Sequence, residues 1–281
     1  MRPVVTIIAP GEMGSAVGRR LVDNGLEVLT AVDGRSDASR ARARGAGMTV
    51  VAEAEAATAD MVLSIVPPGA ALALAGRLAP MLARQAAKPL YVDCNAINPE
   101  TAGRIAHVIA DVGLPFVDVG IIGPPPAPGT PGPAFYASGP DAQRFAALAG
   151  YGIDIRVLDG PVGAASALKM SYAGITKGFT ALGAAMMLAA TRGGAAEALR
   201  SELARSQPAL LAWLTRQVPR MYPKAYRFVA EMEEIAGFVG ADPAAHQLFE
   251  GAAQLYQRLA EDYRSTRQET TALSTFLKGE T

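Results

Sequence analysis

Gly11 and Gly14 lie in the segment VVTIIAPGEMGSAVGRRL, directly after a β-branched run and at the start of a helical pattern. A glycine at 11 lets backbone approach a pyrophosphate, and one at 14 lets the helix pack tightly on the strand. The unpaired N–H groups and positive dipole end of that helix favour phosphate oxygens. Ala9 replaces the first glycine of the usual fingerprint, and Pro10, Glu12 and Met13 complete the turn. Nineteen residues past Gly14 comes Asp33, at the end of the next strand pattern, the spacing expected of a dinucleotide site. A tight turn without a ligand is the bland alternative. The Asp33 carboxylate suits an adenosine ribose and favours NAD. Arg35 and Ser36 follow at once and suit a 2′-phosphate, which favours NADP. Both cofactors stay open, as does an ordinary helix-capping turn. The opposite wall should come from the strand ends at 64–68, with Val66 and Pro67, and at 93–98. There the Asn95 amide either meets nicotinamide or substrate, or forms a side-chain turn with Asp93.

These residues need strands and helices in alternation to hold them. Strand patterns cover residues 4–9, 28–32, 49–51, 61–66, 89–93, 116–121, 134–138 and 153–158, and helical patterns cover 14–24 and 36–45. Gly25 suits the left-handed end of the first helix, and Ser36 or Asp37 the start of the second. Such alternation predicts a doubly wound α/β sheet of Rossmann type with right-handed crossovers. After Gly160 only helical spacing remains, interrupted at Gly193-Gly194, Pro208, Pro219, Pro223 and 240–243. The expected division is therefore a nucleotide-binding domain over 1–160 and an all-helical domain over 161–281.

Composition narrows the partners. The 281 residues carry 26 Lys+Arg against 26 Asp+Glu, so no net charge draws nucleic acid or an anionic membrane. The lone Cys94 allows no intrachain disulfide and suits a reducing cytoplasm. With only His107 and His246 beside it, a zinc site is improbable and no metal is expected. The apolar stretch 160–190 contains Lys169 and Lys177, so it reads as a buried helix rather than a membrane span. Half the chain is hydrophobic, which makes an apolar subunit interface in the helical half, and a homodimer, the expectation. Trp213, Met221, Tyr222 and Tyr226 suit that interface, the core or the cleft.

Several segments, in order, resemble the β-hydroxyacid dehydrogenases, the group of 3-hydroxyisobutyrate and 6-phosphogluconate dehydrogenases with imine reductases as relatives. They are APGEMG, VLSIVPP, DCNA, DVGIIGP and GPVGAASALKMSYA. The resemblance runs from Val4 to about Ala190 and in outline to the end. It implies an NAD(P)-dependent oxidoreductase acting between a hydroxyl and a carbonyl carbon, with Lys169 as the acid/base. An ammonium beside the alcohol oxygen can exchange the proton as hydride leaves the carbon, and burial lowers its pKa toward working pH. On its residues alone, Lys169 would read as a lysine snorkelling from a packed helix.

The chain departs from the family pattern around that lysine. Ala173 stands where the family has a substrate-positioning asparagine, one helical turn after the lysine. Tyr172 and Ser171 are the nearby hydroxyls. The family's Ser-Gly-Gly, whose N–H groups hold a substrate carboxylate, becomes Ile122-Gly123-Pro124, and proline has no N–H to give. Glu231 and Glu234, in RFVAEMEEIAG, share a helix face where the family often has a Lys-Asp pair. Glu231 is therefore a candidate for meeting substrate or a partner subunit, or simply part of a solvated face. These departures imply a substrate other than a simple short hydroxy acid. Imine reduction, or a catalytically silent dinucleotide sensor, are the other readings.

Overall fold

In the computed structural model, which describes residues 2–279, the expected alternation becomes an eight-stranded sheet. The strands are β1 (Val5–Ile8), β2 (Val28–Ala31), β3 (Thr49–Val51), β4 (Met61–Ser64), β5 (Leu90–Asp93), β6 (Phe116–Ile122), β7 (Ala134–Ser138) and β8 (Asp154–Val157). Their spatial order is β3-β2-β1-β4-β5-β6-β7-β8. Neighbours from β3 to β6 pair in parallel; β7 pairs antiparallel with β6, and β8 parallel with β7. The order reverses between β1 and β4, where an open α/β sheet presents its ligand crevice. The central strands are apolar runs buried along their length, as strands covered on both faces must be.

Six helices connect the strands: α1 (Glu12–Asp23), α2 (Asp37–Gly45), α3 (Glu53–Ala56), α4 (Ala71–Ala83), α5 (Pro99–Ala110) and α6 (Ala142–Ala146). One core cluster joins Val17 and Leu21 of α1 to Ile7, Phe135 and Phe145. The other joins Leu74, Leu78 and Leu82 of α4 and Ile105 and Ile109 of α5 to Tyr91 and Phe116. Two expected strands end early for identifiable reasons. β1 stops at Ile8 because Ala9 turns to φ +68°. β4 stops at Ser64, and two residues later the Val66 N–H donates to the Asn95 side chain. Ser36 caps α2 as expected, accepting from the Ser39 N–H.

The chain forms two compact units, 1–170 and 171–281. The division falls inside α7 (Ala164–Arg192), ten residues past the sequence boundary. The first turns of this helix, with Lys169, therefore belong to the sheet unit.

The second unit continues with α8 (Ala196–Ser206), α9 (Pro208–Met221), α10 (Ala225–Phe238), α11 (Pro243–Arg264) and α12 (Gln268–Lys278). Gly194, at φ +70°, follows α7. Pro208 is the first residue of α9, and Asp242 caps α11 by accepting from the N–H groups of Ala244 and Ala245. Pro219 does not interrupt the chain as expected; it sits in the last turn of α9. The core gathers Leu214, Val218, Met221, Met232, Ile235, Tyr256, Leu259 and Phe276. Met221 and Tyr222 thus belong to the core. Tyr226 is exposed beneath Arg264, and Trp213 meets Phe179 edge-on.

One expectation needs correction: α7 is not a buried helix. Ala173, Ala181, Ala184, Met187 and Leu188 are buried, but Tyr172, Ile175, Phe179, Leu182 and Met186 are 50–62% exposed. Their spacing of three and four places them in one stripe. By length and composition α7 could also cross a membrane, with 39% of its most apolar window buried inside the protein.

Candidate active site

The turn after β1 is built around one strained residue. Ala9 holds φ +68°, a conformation that costs an L-residue about 1–2 kcal/mol. This is the position where glycine would be at ease. The Ala9 carbonyl accepts from the Gly11 N–H at 2.8 Å. A side chain on Gly14 would collide with that same carbonyl oxygen, so glycine is obligatory there. At Gly11 the reverse holds: a Cβ would meet nothing within 4 Å. Gly11 is also the N-cap of α1 and has no side chain to accept from the first N–H groups of the helix. Open space beside uncapped helical N–H groups fits a dinucleotide pyrophosphate.

Pro10 is buried and its carbonyl accepts from Arg42 Nε at 3.0 Å. Arg42 also donates to Ser39 Oγ at 3.1 Å. This arginine of α2 braces the turn after β1, and sequence reading missed it because the two segments are 32 residues apart. Glu12 is exposed and Met13 half-buried. Asp33, Arg35 and Ser36 form an exposed turn after β2, and the Ser36 hydroxyl is engaged as a helix cap.

Across the switch point, Asn95 is held by a set of internal hydrogen bonds. Its N–H donates to Asp93 Oδ1 at 3.0 Å, making the side-chain turn. Its amide donates to Ser64 Oγ (2.8 Å) and Asp93 Oδ2 (2.9 Å) and accepts from the Val66 N–H (2.6 Å). Asn95 is buried with both amide hydrogens engaged, and it joins the ends of β4 and β5. Val66 is half-buried with its N–H engaged, and Pro67 is exposed at the rim.

Burial raises the Asp93 carboxyl to a pKa of about 7, against the opposing hydrogen bonds from Asn95. A folded-state pKa above the unfolded one means the native protein holds the proton more tightly. Stability is then highest below about pH 4 for this group and is lost as pH rises toward 7. Burial shifts Asp118 in the same direction. The urea midpoint should therefore fall between pH 4.5 and 7, and Asp93→Asn should flatten part of that fall. An unchanged slope in the variant would show that Asp93 does not titrate in this window.

The third part is the contact of β6 with α7. Asp118, Gly120 and Ile122 share one face of β6. A Cβ on Gly120 would come within 2.7 Å of the Ala165 carbonyl oxygen and 3.1 Å of Lys169 Cβ. Glycine there lets α7 lie directly on the strand, and Lys169, half-buried, leaves the helix at that point. Ile122 is the last residue of β6, opposite Ala134 of β7. Gly123 then turns at φ +134°, where a side chain would meet Pro133, and Pro124 is exposed.

The remaining candidates lie in the helical unit. Tyr172 is exposed and Ala173 is buried. Glu231 forms an ion pair with Lys177, and both side chains are less than one-fifth exposed. The Lys177 ammonium also lies 4.2 Å from the Phe228 ring centroid, a favourable place for a desolvated cation. No local signal in the sequence marked this pairing, since α10 carries Arg227, Glu233 and Glu234 beside Glu231.

A model of the NAD binding domain of 6-phosphogluconate dehydrogenase matches residues 4–148. A domain of unknown function, DUF1932, matches residues 190–259. An uncharacterized 28.5 kDa protein from Methanothermus fervidus is 30% identical over 180 residues, covering 63% of this chain and 67% of the relative. Among solved structures, the conserved protein MTH1747 is 31% identical with a TM-score of 0.71, covering 93% of this chain and 98% of its own. It is described as structurally similar to 3-hydroxyacid dehydrogenases. The 3-hydroxyisobutyrate dehydrogenase of Mycobacterium tuberculosis, determined with L-serine, shares the fold at 18% identity and a TM-score of 0.74 over 99% of both chains.

Proposed function

Because the chain belongs to the NAD(P)-binding family of 6-phosphogluconate dehydrogenase, we propose that it is an oxidoreductase with Lys169 as its general acid/base. The reaction is reversible hydride transfer between the cofactor and a hydroxyl-bearing carbon of a small molecule. The observation that carries this reading is the placement of Lys169 over Gly120, in the same compact unit as the glycine turn. The bound nicotinamide would accept or return the hydride.

The chain's own residues do the rest. Gly11 and the start of α1 hold the pyrophosphate, beside Pro10, Glu12, Met13 and Gly14. Asp33, Arg35 and Ser36 receive the adenosine end, and the ratio of NAD to NADP affinity settles which of them matters. Val66 and Pro67 form the opposite rim. Lys169, as the neutral amine, takes the hydroxyl proton as the carbon–hydrogen bond breaks, and returns it in the reverse direction. The Ile122-Gly123-Pro124 end of β6 leaves little donor capacity for a carboxylate, which supports a substrate other than a short hydroxy acid.

The test is turnover on a panel of hydroxy acids, other alcohols and cyclic imines with both cofactors, followed by nicotinamide absorbance. Oxidation of a hydroxy compound is the expected result. Turnover of imines alone would favour reductive amine chemistry, and tight cofactor binding with no turnover a sensor.

We also place a homodimer interface on the exposed stripe of α7. Beside it, Gly174 and Gly178 open a groove of about 620 Å³ lined by Ile175, Phe179, Leu182, Leu248 and Leu255. Exposed apolar surface of this kind marks association sites, and a second copy presents the same surface. Phe179→Glu should shift the protein from dimer to monomer in sedimentation velocity. A wild-type monomer at micromolar concentration would refute the assignment. A cytoplasmic location, with Cys94 buried and reduced, accords with this reading.

A further inference from the structure

Asp118 has no part in the chemistry described so far, yet it is 1% exposed in the middle of β6. Its carboxylate accepts four hydrogen bonds. Ser166 Oγ donates to Oδ1 at 2.7 Å, while the N–H groups of Ser166 and Gly163 (both 3.0 Å) and Ser138 Oγ (3.2 Å) donate to Oδ2. Ser138 Oγ in turn accepts from the Ala165 N–H at 3.0 Å. Together, one carboxylate and one hydroxyl from the sheet satisfy the N–H groups of Gly163, Ala165 and Ser166. These are the groups that the first turn of α7 cannot pair within itself. Acceptor oxygens at a helix N-terminus also complement the dipole.

The consequence is geometric. Ser166 is three residues before Lys169 on the same helix. Gly120, two residues after Asp118 on the same strand face, receives Ala165 and the Lys169 stem. The helix is therefore fixed to β6 at two adjacent points, by hydrogen bonds at Asp118 and by a side-chain-free contact at Gly120. We propose that Asp118 is a positioning residue for Lys169: through the first turn of α7 it sets where the ammonium leaves the helix. The role in turnover rests on the reading of Lys169 as the acid/base; the coupling between the two residues does not. In catalysis, a displacement of about 1 Å can cost about a hundredfold in rate.

The test reads Lys169 directly in the full-length protein. Lysines are dimethylated with ¹³C-formaldehyde, and the Lys169 resonance is assigned by its absence in Lys169→Met. Its titration is then followed in wild type, Asp118→Asn and Ser166→Ala, with Lys88 and Lys224 as internal references. Loss of the anchor should move the Lys169 midpoint by at least half a pH unit or split its signal, leaving the reference lysines unchanged. An unmoved Lys169 signal in folded variants would overturn the proposal. Should Asp118→Asn not fold, Ser166→Ala, which removes a single hydroxyl, decides the question. Full turnover by Lys169→Met would instead sink the acid/base reading and leave the coupling measurement standing.

Discussion

Lys169→Met is expected to lower kcat by about 10²–10⁴-fold while changing dinucleotide affinity less than about twofold. Methionine keeps an unbranched stem of similar reach, so the contact at Gly120 survives and the proton-carrying group alone is removed. The substitution lies on α7, away in sequence from the phosphate turn, which explains the expected separation of affinity from rate. The pH profile should respond too: a limb reporting the lysine's deprotonation in wild type should vanish from the residual activity. Steady-state kinetics on the substrate identified by the panel, with cofactor binding measured calorimetrically, checks both halves. A variant that retains full kcat would remove Lys169 from the mechanism.

Gly11→Ala and Gly14→Ala should fail in opposite ways. At Gly11 the backbone is at φ −70°, which alanine adopts freely, and the added methyl meets no protein atom within 4 Å. The fold should therefore tolerate it. The methyl enters the space a pyrophosphate needs, and dinucleotide affinity should fall by about a hundredfold or more. At Gly14 the methyl is driven into the Ala9 carbonyl, which already belongs to a strained turn. That variant should lose about 1–3 kcal/mol of stability before any question of binding arises. Thermal unfolding beside cofactor titration separates the two. Gly11→Ala binding the dinucleotide normally would show that the turn is a strand-to-helix connection only.

The same turn shows what a single sequence conveys. Glycine spacing, the strand before it and Asp33 after it all involve neighbours along the chain, and they correctly placed β1, α1 and β2. Strand patterns likewise foretold all eight strands, because apolar runs between helical stretches are a local signal. Long-range partners left no such trace. Asn95 offered two roles, and the hydrogen bonds it makes to Ser64 and Val66 of the neighbouring strand end were not visible in the sequence. Glu231 was half of a pair whose other member lies 54 residues earlier. Asp118 was visible merely as part of a family segment. Its function as an anchor depends on Ser138 and Ser166 converging from 20 and 48 residues away. The exposure of one face of α7 was hidden for a related reason: an apolar residue reads the same whether its own chain or another molecule covers it.

That face has a thermodynamic consequence. A stripe covered by a second copy ties folding to mass action, since native subunits associate and unfolded ones do not. The unfolding temperature would then depend on how much protein is in the tube, rising with each dilution step reversed. Measurements at nanomolar and at micromolar concentration would describe differently stable species. The stability of this chain would then be a property of the solution as well as of the sequence.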